Sequence, residues 1–288
     1  MSISSKWLLE CIYTFYETIK IDTPFQTSNF MVESLTMTNI ICIANQKGGV
    51  GKTTTAINLS AALAVSEKRT LLVDCDPQGN ATTGLGFDKN KIYNTLYHGM
   101  IGKVAAKNIV LDSDIDTLKI IPSRVELIGF EVEMMSEPKR EMALKNLLVQ
   151  LADSFEYIII DCPPSLSLLT VNALTASDFM LIPLQCEFYA LEGLGQLLTT
   201  MKRIKHNLNP KLKIAGILLT MFDKRTNLSI QVAEDAERYF KNLVFKTMVP
   251  RNVRLGEAPS FGKPILLYDA ASVGAQSYFD LAKEIMAN

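Results

Sequence analysis

Residues 45–54 read NQKGGVGKTT and lie between a short apolar run at 40–44 and an amphipathic stretch at 51–66. A glycine-rich turn between a strand and a helix lets backbone N–H groups turn inward around an anion. The helix that follows adds its positive N-terminal end. The flanking patterns are typical of a buried strand and a helix, which is the setting that such a loop requires. The segment therefore predicts a phosphate-binding loop in an α/β fold.

This loop departs from the usual spacing GxxxxGK[ST]. Gln46 stands where the first glycine is expected, and a second lysine, Lys47, opens the loop. Lys52 is placed to reach the β- and γ-phosphates, the Thr53 hydroxyl to bind Mg²⁺, and Thr54 to hydrogen-bond the α-phosphate. The residues expected to contact the nucleotide here are Gly48, Gly49, Val50, Gly51, Lys52, Thr53 and Thr54.

Three aspartates end apolar runs farther along the chain. Asp74 and Asp76 lie two residues apart in LLVDCDPQGN (71–80), so an extended backbone places them on one face. Two anions at such a place need a cation or hydrogen-bond donors between them. Asp161 ends the run YIIID (157–161) before a Pro-Pro turn, as an aspartate of the Walker B type does when it holds Mg²⁺ through water. The three carboxylates predict a magnesium–nucleotide and an attacking water beside the loop.

From residue 39 onward, apolar runs alternate with amphipathic stretches. This alternation predicts a three-layer P-loop NTPase fold of the α/β class, a mostly parallel twisted sheet flanked by helices on both faces. Ligands in such folds bind outside the carboxyl ends of the strands. We expect strands at 40–44, 70–74, 118–122, 157–161, 179–183, 214–221 and 243–249. We expect helices at 51–66, 139–153, 165–176, 192–208, 229–242 and 273–287.

Net charge, cysteine content and the length of apolar runs limit which kinds of protein this chain can be. The 288 residues carry a formal net charge of −1, so DNA binding would have to come from a local patch or from assembly of several copies. The five cysteines form no CxxC pair, and Cys42, Cys75 and Cys162 lie in or beside apolar runs. Buried reduced thiols are expected, which fits the cytosol. No apolar run approaches the ~20 residues of a membrane span, and no secretory signal pattern opens the chain.

Four segments then occur in a fixed order: NQKGGVGKTT, VDCDPQGNATTGLG, IIIDCPPSL and VPRNVRLGEAPSFGKPI. Together they resemble the ParA/Soj chromosome- and plasmid-partitioning ATPases, in the deviant Walker A group that also includes MinD and the nitrogenase iron protein. The last segment is close to diagnostic for the short ParA/Soj type. We therefore divide the chain into an N-terminal extension of unknown role at 1–37, with some helical spacing at 5–19, and a ParA-type ATPase domain at 38–288.

The resemblance implies a role for each site residue. It implies that Lys47 reaches across a nucleotide sandwich dimer to the partner's phosphates, which explains a lysine that one subunit would not need. It also implies that Asp76 positions the hydrolytic water and that Asp74 lies near the metal shell. The implied catalytic residues are Lys47, Lys52 and Asp76, the metal residues Thr53, Asp74 and Asp161, and the adenine contacts Pro250 and Asn252.

The resemblance also implies partners. Arg225 and Arg254 match surface arginines that bind duplex DNA without sequence preference in the ATP-bound homodimer. Two aligned copies of a local patch would reconcile DNA binding with a net charge of −1. The expected function is a DNA-segregation switch that uses ATP and Mg²⁺. A ParB-like centromere-binding protein would stimulate its slow hydrolysis. The expected location is the cytoplasm, in association with the nucleoid.

Two other functions stay open at this stage. A MinD-like membrane-associated division-site regulator would need a basic amphipathic C-terminal helix. Residues 277–288 carry one lysine against an aspartate and a glutamate, so stable membrane binding is not expected. An ATP-switched regulator that binds a replication initiator is not excluded by any motif. An iron–sulfur reductase is disfavoured because Cys162 has no second cysteine placed as a cluster ligand.

Overall fold

A computed structural model describes residues 38–187 and 190–287. The extension at 1–37, including the helical spacing at 5–19, lies outside the described residues. The strands are β1 (Asn39–Ile43), β2 (Thr70–Asp74), β3 (Leu111–Asp112), β4 (Leu118–Ile121), β5 (Tyr157–Asp161), β6 (Phe179–Gln185), β7 (Lys213–Phe222) and β8 (Val244–Pro250). The α-helices are α1 (Lys52–Val65), α2 (Asn80–Gly84), α3 (Leu96–Met100), α4 (Ile128–Glu133), α5 (Ala143–Leu148), α6 (Leu168–Ala176), α7 (Ala190–Asn207), α8 (Asn227–Phe240), α9 (Val253–Glu257), α10 (Ile265–Tyr268) and α11 (Val273–Met286).

Within the described residues the strands form one eight-stranded sheet in the order β3-β4-β2-β5-β1-β6-β7-β8. Neighbouring strands are parallel except for β3 and β4, which are antiparallel. The register sets Asp161 of β5 opposite Asp74 of β2 and opposite Ile43 of β1. Because β1, β2 and β5 are parallel, their carboxyl ends lie at the same end of the sheet. The loop at 45–51 follows β1 at this end.

Alternate residues of the central strands face opposite sides of the sheet. In β1, Cys42 belongs to one buried apolar cluster, whereas Ile41 and Ile43 belong to the other. In β5, Ile158 and Ile160 lie in the first cluster and Ile159 in the second. Both faces are therefore covered by helices, and the predicted three-layer fold is confirmed. The expected buried, unbridged thiols are also present at Cys42, Cys75 and Cys162.

Helices α1 and α11 pack against each other on the second face. The Tyr278 side chain of α11 is fully buried, and its hydroxyl lies 3.2 Å from Thr55 Oγ1 of α1. Leu281 is buried on the same side of α11. Burying an apolar side chain of this size stabilises the fold by about 1.5–3 kcal/mol. The apolar side of the C-terminal helix is therefore engaged with the body of the domain.

One expected helix is shorter than predicted. The stretch 139–153 contains a 3₁₀ turn at Arg140–Met142, helix α5, and a second 3₁₀ turn at Ala152–Ser154. Lys139 has a left-handed backbone with φ +60°, so Lys139 itself is not part of a right-handed helix. Beyond α5 the backbone tightens into i→i−3 hydrogen bonds such as Leu151 N–H to Leu148 O, 2.9 Å. Over one or two turns an apolar pattern does not separate a 3₁₀ helix from an α-helix.

The other expected strands and helices match within three residues at each end. The sequence pattern did not predict the two-residue strand β3 or the short helices α2, α3, α4, α9 and α10. Each has at most six residues, which is too few for a periodic apolar pattern. Over the described residues, no helix combines the length and apolar character needed to cross a membrane.

Candidate nucleotide-binding site

The loop between β1 and α1 is shaped by its glycines. Gly49 and Gly51 have φ of +75° and +88°, in the left-handed region that glycine adopts without strain. Gly51 begins α1, and its carbonyl accepts from Thr55 N–H at 2.8 Å. The loop is held from below by Thr220 of β7, whose hydroxyl donates to the Val50 carbonyl at 2.9 Å. Backbone N–H groups at the start of α1 are thus oriented around a concave turn that suits an anion.

The two lysines of the loop lie in different environments. The Lys52 side chain is buried, and its Nζ donates to the Lys47 carbonyl at 3.0 Å. Burial lowers the pKa of Lys52, while the nearby Asp161 carboxylate acts in the opposite direction. The Lys47 ammonium lies instead at the partly exposed surface, 2.9 Å from the Glu187 carboxylate. The Lys52 side chain therefore contacts the backbone of its own loop, whereas the Lys47 side chain is held away from the loop by Glu187.

Asp74 is fully buried at the end of β2 and accepts three hydrogen bonds. Thr82 N–H and the Thr82 hydroxyl both donate to Oδ2 at 2.7 Å, and Asp76 N–H donates to Oδ1 at 3.2 Å. Burial raises the pKa of Asp74 to about 6, although the bonds from Thr82 oppose the shift. The Thr82 hydroxyl also accepts from Ser123 N–H at 2.9 Å. Asp74 is thus tied into the backbone around the site.

Asp161 is fully buried as well, but neither of its carboxylate oxygens has a hydrogen-bond partner among the described residues. Burial raises the pKa of Asp161 well above its usual range, and the Asp74 carboxylate adds to the shift. The nearby Thr53 hydroxyl lowers the pKa of Asp161, although it does not lie in hydrogen-bond geometry with either carboxylate oxygen. A buried carboxylate with two unpartnered oxygens beside a hydroxyl is a donor set that suits Mg²⁺, which takes one or two protein oxygens and keeps several waters.

Asp76 lies in a tight turn just beyond β2. Its Oδ1 accepts from Gln78 N–H at 2.9 Å, and its carbonyl accepts from Gly79 N–H at 2.9 Å. The side chain is buried, and its charge contributes to the electrostatics of both Lys52 and Asp161. The fold therefore brings Asp76 and Asp161 near the buried Lys52, and places Asp74 close to both of these carboxylates.

The expected adenine and DNA residues lie along the same edge of the sheet, beyond β6. Pro250 ends β8 and is in register with Phe222 at the end of β7. Asn252 begins α9, and its Oδ1 accepts from Arg254 N–H at 2.8 Å. The sheet order separates these residues from β1 by two strands, β6 and β7.

Arg225 and Arg254 follow the neighbouring strands β7 and β8. The side chain of Arg225 is 81% exposed, and its guanidinium makes a two-point contact with Asp223 at 2.9 and 2.7 Å. Arg254 is 55% exposed and lies 3.0 Å from Glu257 and 3.5 Å from Asp269. Both arginines are therefore accessible but paired within the chain.

Three residues of the site were missed by the sequence reading. Thr82 lies in the ATTGLG part of a quoted segment, but nothing in its spacing marks it as a partner of Asp74. Thr220 and Glu187 come from β7 and from the turn after β6, more than 130 residues from the loop that they contact. Such contacts depend on strand order, which a local pattern does not carry.

A glycine-lined loop ahead of a helix, a buried lysine and an unpartnered carboxylate at the end of a parallel strand define a P-loop nucleotide-binding protein. A family model described as an AAA domain matches residues 37–214. The chain is 55% identical over 251 residues to the chromosome partitioning protein ParA of Myxococcus xanthus, covering 87% of this chain and 89% of the relative. It is 54% identical over 252 residues to the sporulation initiation inhibitor protein Soj of Bacillus subtilis, covering 88% and 100%.

The chain therefore belongs to the ParA/Soj family of chromosome-partitioning ATPases. Among solved structures it is similar to cobyrinic acid a,c-diamide synthase from Mycobacterium smegmatis with bound ADP and magnesium. The TM-score is 0.76 at 37% identity, over 86% of this chain and 93% of that one. The cell division ATPase MinD of Pyrococcus furiosus is similar with a TM-score of 0.73 at 26% identity, over 87% and 99%. The fold and the enzyme class expected from the sequence are confirmed.

Proposed function

We propose that this protein is an ATP-hydrolysing DNA-segregation switch. ATP and Mg²⁺ close two copies into a sandwich dimer, and the dimer binds duplex DNA without sequence preference. A ParB-like centromere-binding protein then stimulates hydrolysis, which releases the dimer from DNA. The names of the relatives support a role in chromosome partitioning. The nucleotide site and the described surface of the ATPase domain support a switch that depends on ATP binding and hydrolysis.

The observation that carries the proposal is that Lys52 and Lys47 lie in different environments. Lys52 is buried inside its own loop, as a lysine that binds the β- and γ-phosphates of its own nucleotide requires. Lys47 lies at the surface on the Glu187 carboxylate. A partly exposed ion pair contributes about 0–1 kcal/mol, so Lys47 leaves Glu187 at little cost for a phosphate of the partner subunit.

The proposed chemistry joins a water to the γ-phosphorus as the bond to the bridging β–γ oxygen breaks, giving ADP and phosphate. Asp76 orients the attacking water from the turn after β2. Thr53 and Asp161 hold Mg²⁺, which neutralises charge on the phosphate oxygens when bound. Asp74 already accepts three hydrogen bonds, so it would stand near the bound metal and hold the surrounding backbone in place. Pro250 and Asn252 contact the adenine.

DNA binding is assigned to Arg225 and Arg254. Each is exposed and paired with carboxylates of its own chain, and solvent screens exposed pairs of this kind so that they contribute little to stability. Exchange of a carboxylate for a DNA phosphate is therefore inexpensive. A dimer presents each arginine twice, which would form a local positive patch although each chain has a net charge of −1. The proposed location is the cytoplasm, on the nucleoid, and a replication initiator is a further candidate partner.

A MinD-like membrane role finds less support in the C-terminal helix. The apolar residues of α11, including Tyr278 and Leu281, are buried against the domain. Binding a bilayer through this helix would require breaking that packing. The likeness to MinD is one of fold, and the chain keeps the ParA/Soj segments.

The test uses Asp76→Ala, which removes the water-orienting carboxylate and leaves the loop intact. With ATP and Mg²⁺ this variant should form a stable dimer by size-exclusion chromatography with light scattering, and it should retain duplex DNA. With ADP it should be monomeric and release DNA. A variant that stays monomeric with ATP would overturn the sandwich mechanism.

A matched control separates dimerisation from nucleotide binding. Adding Lys47→Ala to Asp76→Ala should leave binding of a fluorescent ATP analogue within about threefold, while the dimer and DNA retention are lost. Equal loss of nucleotide binding would mean that Lys47 serves its own subunit. An unchanged dimer would remove the assigned role of Lys47.

A further inference from the structure

The Thr82 side chain of α2 is fully buried, and its hydroxyl makes two hydrogen bonds. The hydroxyl donates to Oδ2 of Asp74 at 2.7 Å, and it accepts from Ser123 N–H at 2.9 Å. A hydroxyl carries one proton, so the proton that Thr82 can donate is already committed to Asp74. The Thr82 side chain therefore acts on Asp74 and has no proton left for a nucleotide.

The orientation of the Asp74 carboxylate depends mainly on Thr82. Two of the three hydrogen bonds that Asp74 accepts come from this residue, because Thr82 N–H also donates to Oδ2 at 2.7 Å. The third comes from Asp76 N–H, which donates to Oδ1 at 3.2 Å. Hydrogen bonds are directional, so a carboxylate held through both oxygens cannot turn without breaking one of them.

Asp161 shows that this arrangement is particular to Asp74. The two aspartates lie in register on the neighbouring strands β5 and β2, and both are fully buried. Neither oxygen of Asp161 has a hydrogen-bond partner among the described residues, whereas Asp74 is held at both of its oxygens. Asp161 is thus open to a cation, and Asp74 is fixed in one orientation.

A continuous row of hydrogen bonds leads from the loop after β4 to Asp76. It runs from Ser123 N–H to the Thr82 hydroxyl, from that hydroxyl to Asp74, and from the other oxygen of Asp74 to Asp76 N–H. The Asp76 carboxylate in turn accepts from Gln78 N–H at 2.9 Å. The direction in which Asp74 points therefore fixes the backbone from which the Asp76 side chain projects.

We propose that Thr82 is a positioning residue for ATP hydrolysis. Thr82 holds the Asp74 carboxylate so that its Oδ1 binds Asp76 N–H, and this bond keeps the Asp76 carboxylate oriented toward the attacking water. Thr82 acts through Asp76, so its role depends on the water-orienting role that the proposed function gives to Asp76. A small displacement of a group that orients a reactant lowers the rate of the chemical step rather than the affinity for the substrate.

Thr82→Val keeps the shape of the side chain and removes the hydroxyl. Single-turnover hydrolysis with ATP and Mg²⁺ should slow at least about tenfold. The Kd for a fluorescent ATP analogue should stay within about threefold of that of the unaltered protein. Thr82→Ser keeps the hydroxyl and should hydrolyse ATP within about threefold of the normal rate. Thr82→Ala removes the same hydroxyl with a smaller side chain and should repeat the loss, and thermal unfolding should show that the variants are folded.

The matched control is Thr70→Val at the other end of β2. Thr70 is also fully buried, and its hydroxyl donates to the Lys68 carbonyl at 2.9 Å. This variant removes a buried hydroxyl from the same strand and should leave hydrolysis unchanged. Hydrogen exchange in the absence of nucleotide gives a readout that does not depend on activity. The amides at 74–80 should exchange faster in Thr82→Val than in Thr70→Val.

A double variant separates positioning from a general loss of structure. In Asp76→Ala the carboxylate that Thr82 positions is gone, so adding Thr82→Val should not slow the release of labelled phosphate further. Normal hydrolysis by Thr82→Val, a further loss in the double variant, or a Thr82→Ser protein as slow as Thr82→Val would each overturn the role of Thr82 and leave that of Asp76 in place. Normal hydrolysis by Asp76→Ala alone would instead overturn the role of Asp76 in the proposed function, and the role of Thr82 with it.

Discussion

At the scale of single residues, burial of Asp161 lowers the stability of the folded protein. Its two oxygens are buried without a partner among the described residues, and Asp74 stands in register on the adjacent strand. A buried carboxylate without donors destabilises the folded state unless a cation neutralises it. Asp161, the residue that suits magnesium, therefore destabilises the protein when no cation is bound.

Asp161→Asn should stabilise the nucleotide-free protein at pH 7.5 by roughly 1–3 kcal/mol, because the amide carries no charge to bury. The pKa of Asp161 is raised in the folded state, so the folded protein binds more protons than the unfolded chain above the ordinary carboxyl pKa. Stability then falls as pH rises through that interval. The variant should show a shallower fall between pH 4 and 7.5. Thermal unfolding in EDTA measures both effects.

Asp112→Asn serves as the control, since Asp112 is exposed and paired with Lys119 on the surface. It should change the stability by less than about 0.5 kcal/mol. Magnesium with ATP should stabilise the unaltered protein and the control, but not Asp161→Asn. An Asp161→Asn protein that is less stable than the control at pH 7.5 would contradict the assigned electrostatic cost.

At the scale of elements, the turn between β2 and α2 positions Asp76. Gly79 begins α2 with φ +61°, and its N–H closes the turn on the Asp76 carbonyl. A Cβ built on Gly79 would lie 2.7 Å from the Ser123 carbonyl oxygen, which is backbone and has little room to move. The turn after β2 is thus packed tightly against the loop after β4.

Gly79→Ala should destabilise the protein more than Gly102→Ala does. Both glycines have left-handed backbone, with φ +61° and +74°, so both variants carry a conformational cost of about 1 kcal/mol. Only Gly79 also has a steric conflict, because a Cβ on Gly102 meets no atom within 4 Å. We expect at least about 1 kcal/mol of additional loss by urea unfolding, and a larger loss of ATP hydrolysis. Equal stabilities would mean that the turn relaxes freely.

At the scale of the whole molecule, the proposed DNA surface exists in its full form only in the dimer. The chain has a net charge of −1, and its candidate DNA residues follow adjacent strands at one edge of the sheet. In the proposed dimer, each of these DNA contacts would occur twice. Affinity for DNA should therefore depend on nucleotide state and on salt.

Arg254→Gln, placed in the Asp76→Ala protein with ATP and Mg²⁺, should reduce the salt dependence of DNA binding. Each phosphate contact contributes about 0.9 to the slope of log K against log salt, so two copies should lower it by about 2. Arg225→Gln should do the same. Arg203→Gln, which alters an exposed arginine on α7, should leave the slope unchanged. Fluorescence anisotropy with a duplex at several salt concentrations measures the slopes, and an unaltered slope for Arg254→Gln would remove that residue from the DNA surface.

Local sequence patterns were enough to predict the layered fold, the phosphate loop and the three aspartates at the strand ends. These features rest on local physics: strand–loop–helix alternation, glycines where the backbone turns inward, and carboxylates at strand ends. Because the patterns are local, the helix predicted at 139–153 is too long and the short helices were not predicted: one turn of apolar pattern does not define the type of helix.

Which residues surround these motifs depends on how the strands pack in three dimensions. The strand order brought Thr220 under the loop, Glu187 to Lys47, and Asp161 opposite Asp74. It also left Asp161 without donors while giving Asp74 three, although both are aspartates at the end of an apolar strand. Burial and hydrogen bonding are properties of the packed chain, so two residues with the same local pattern acquire different chemistry.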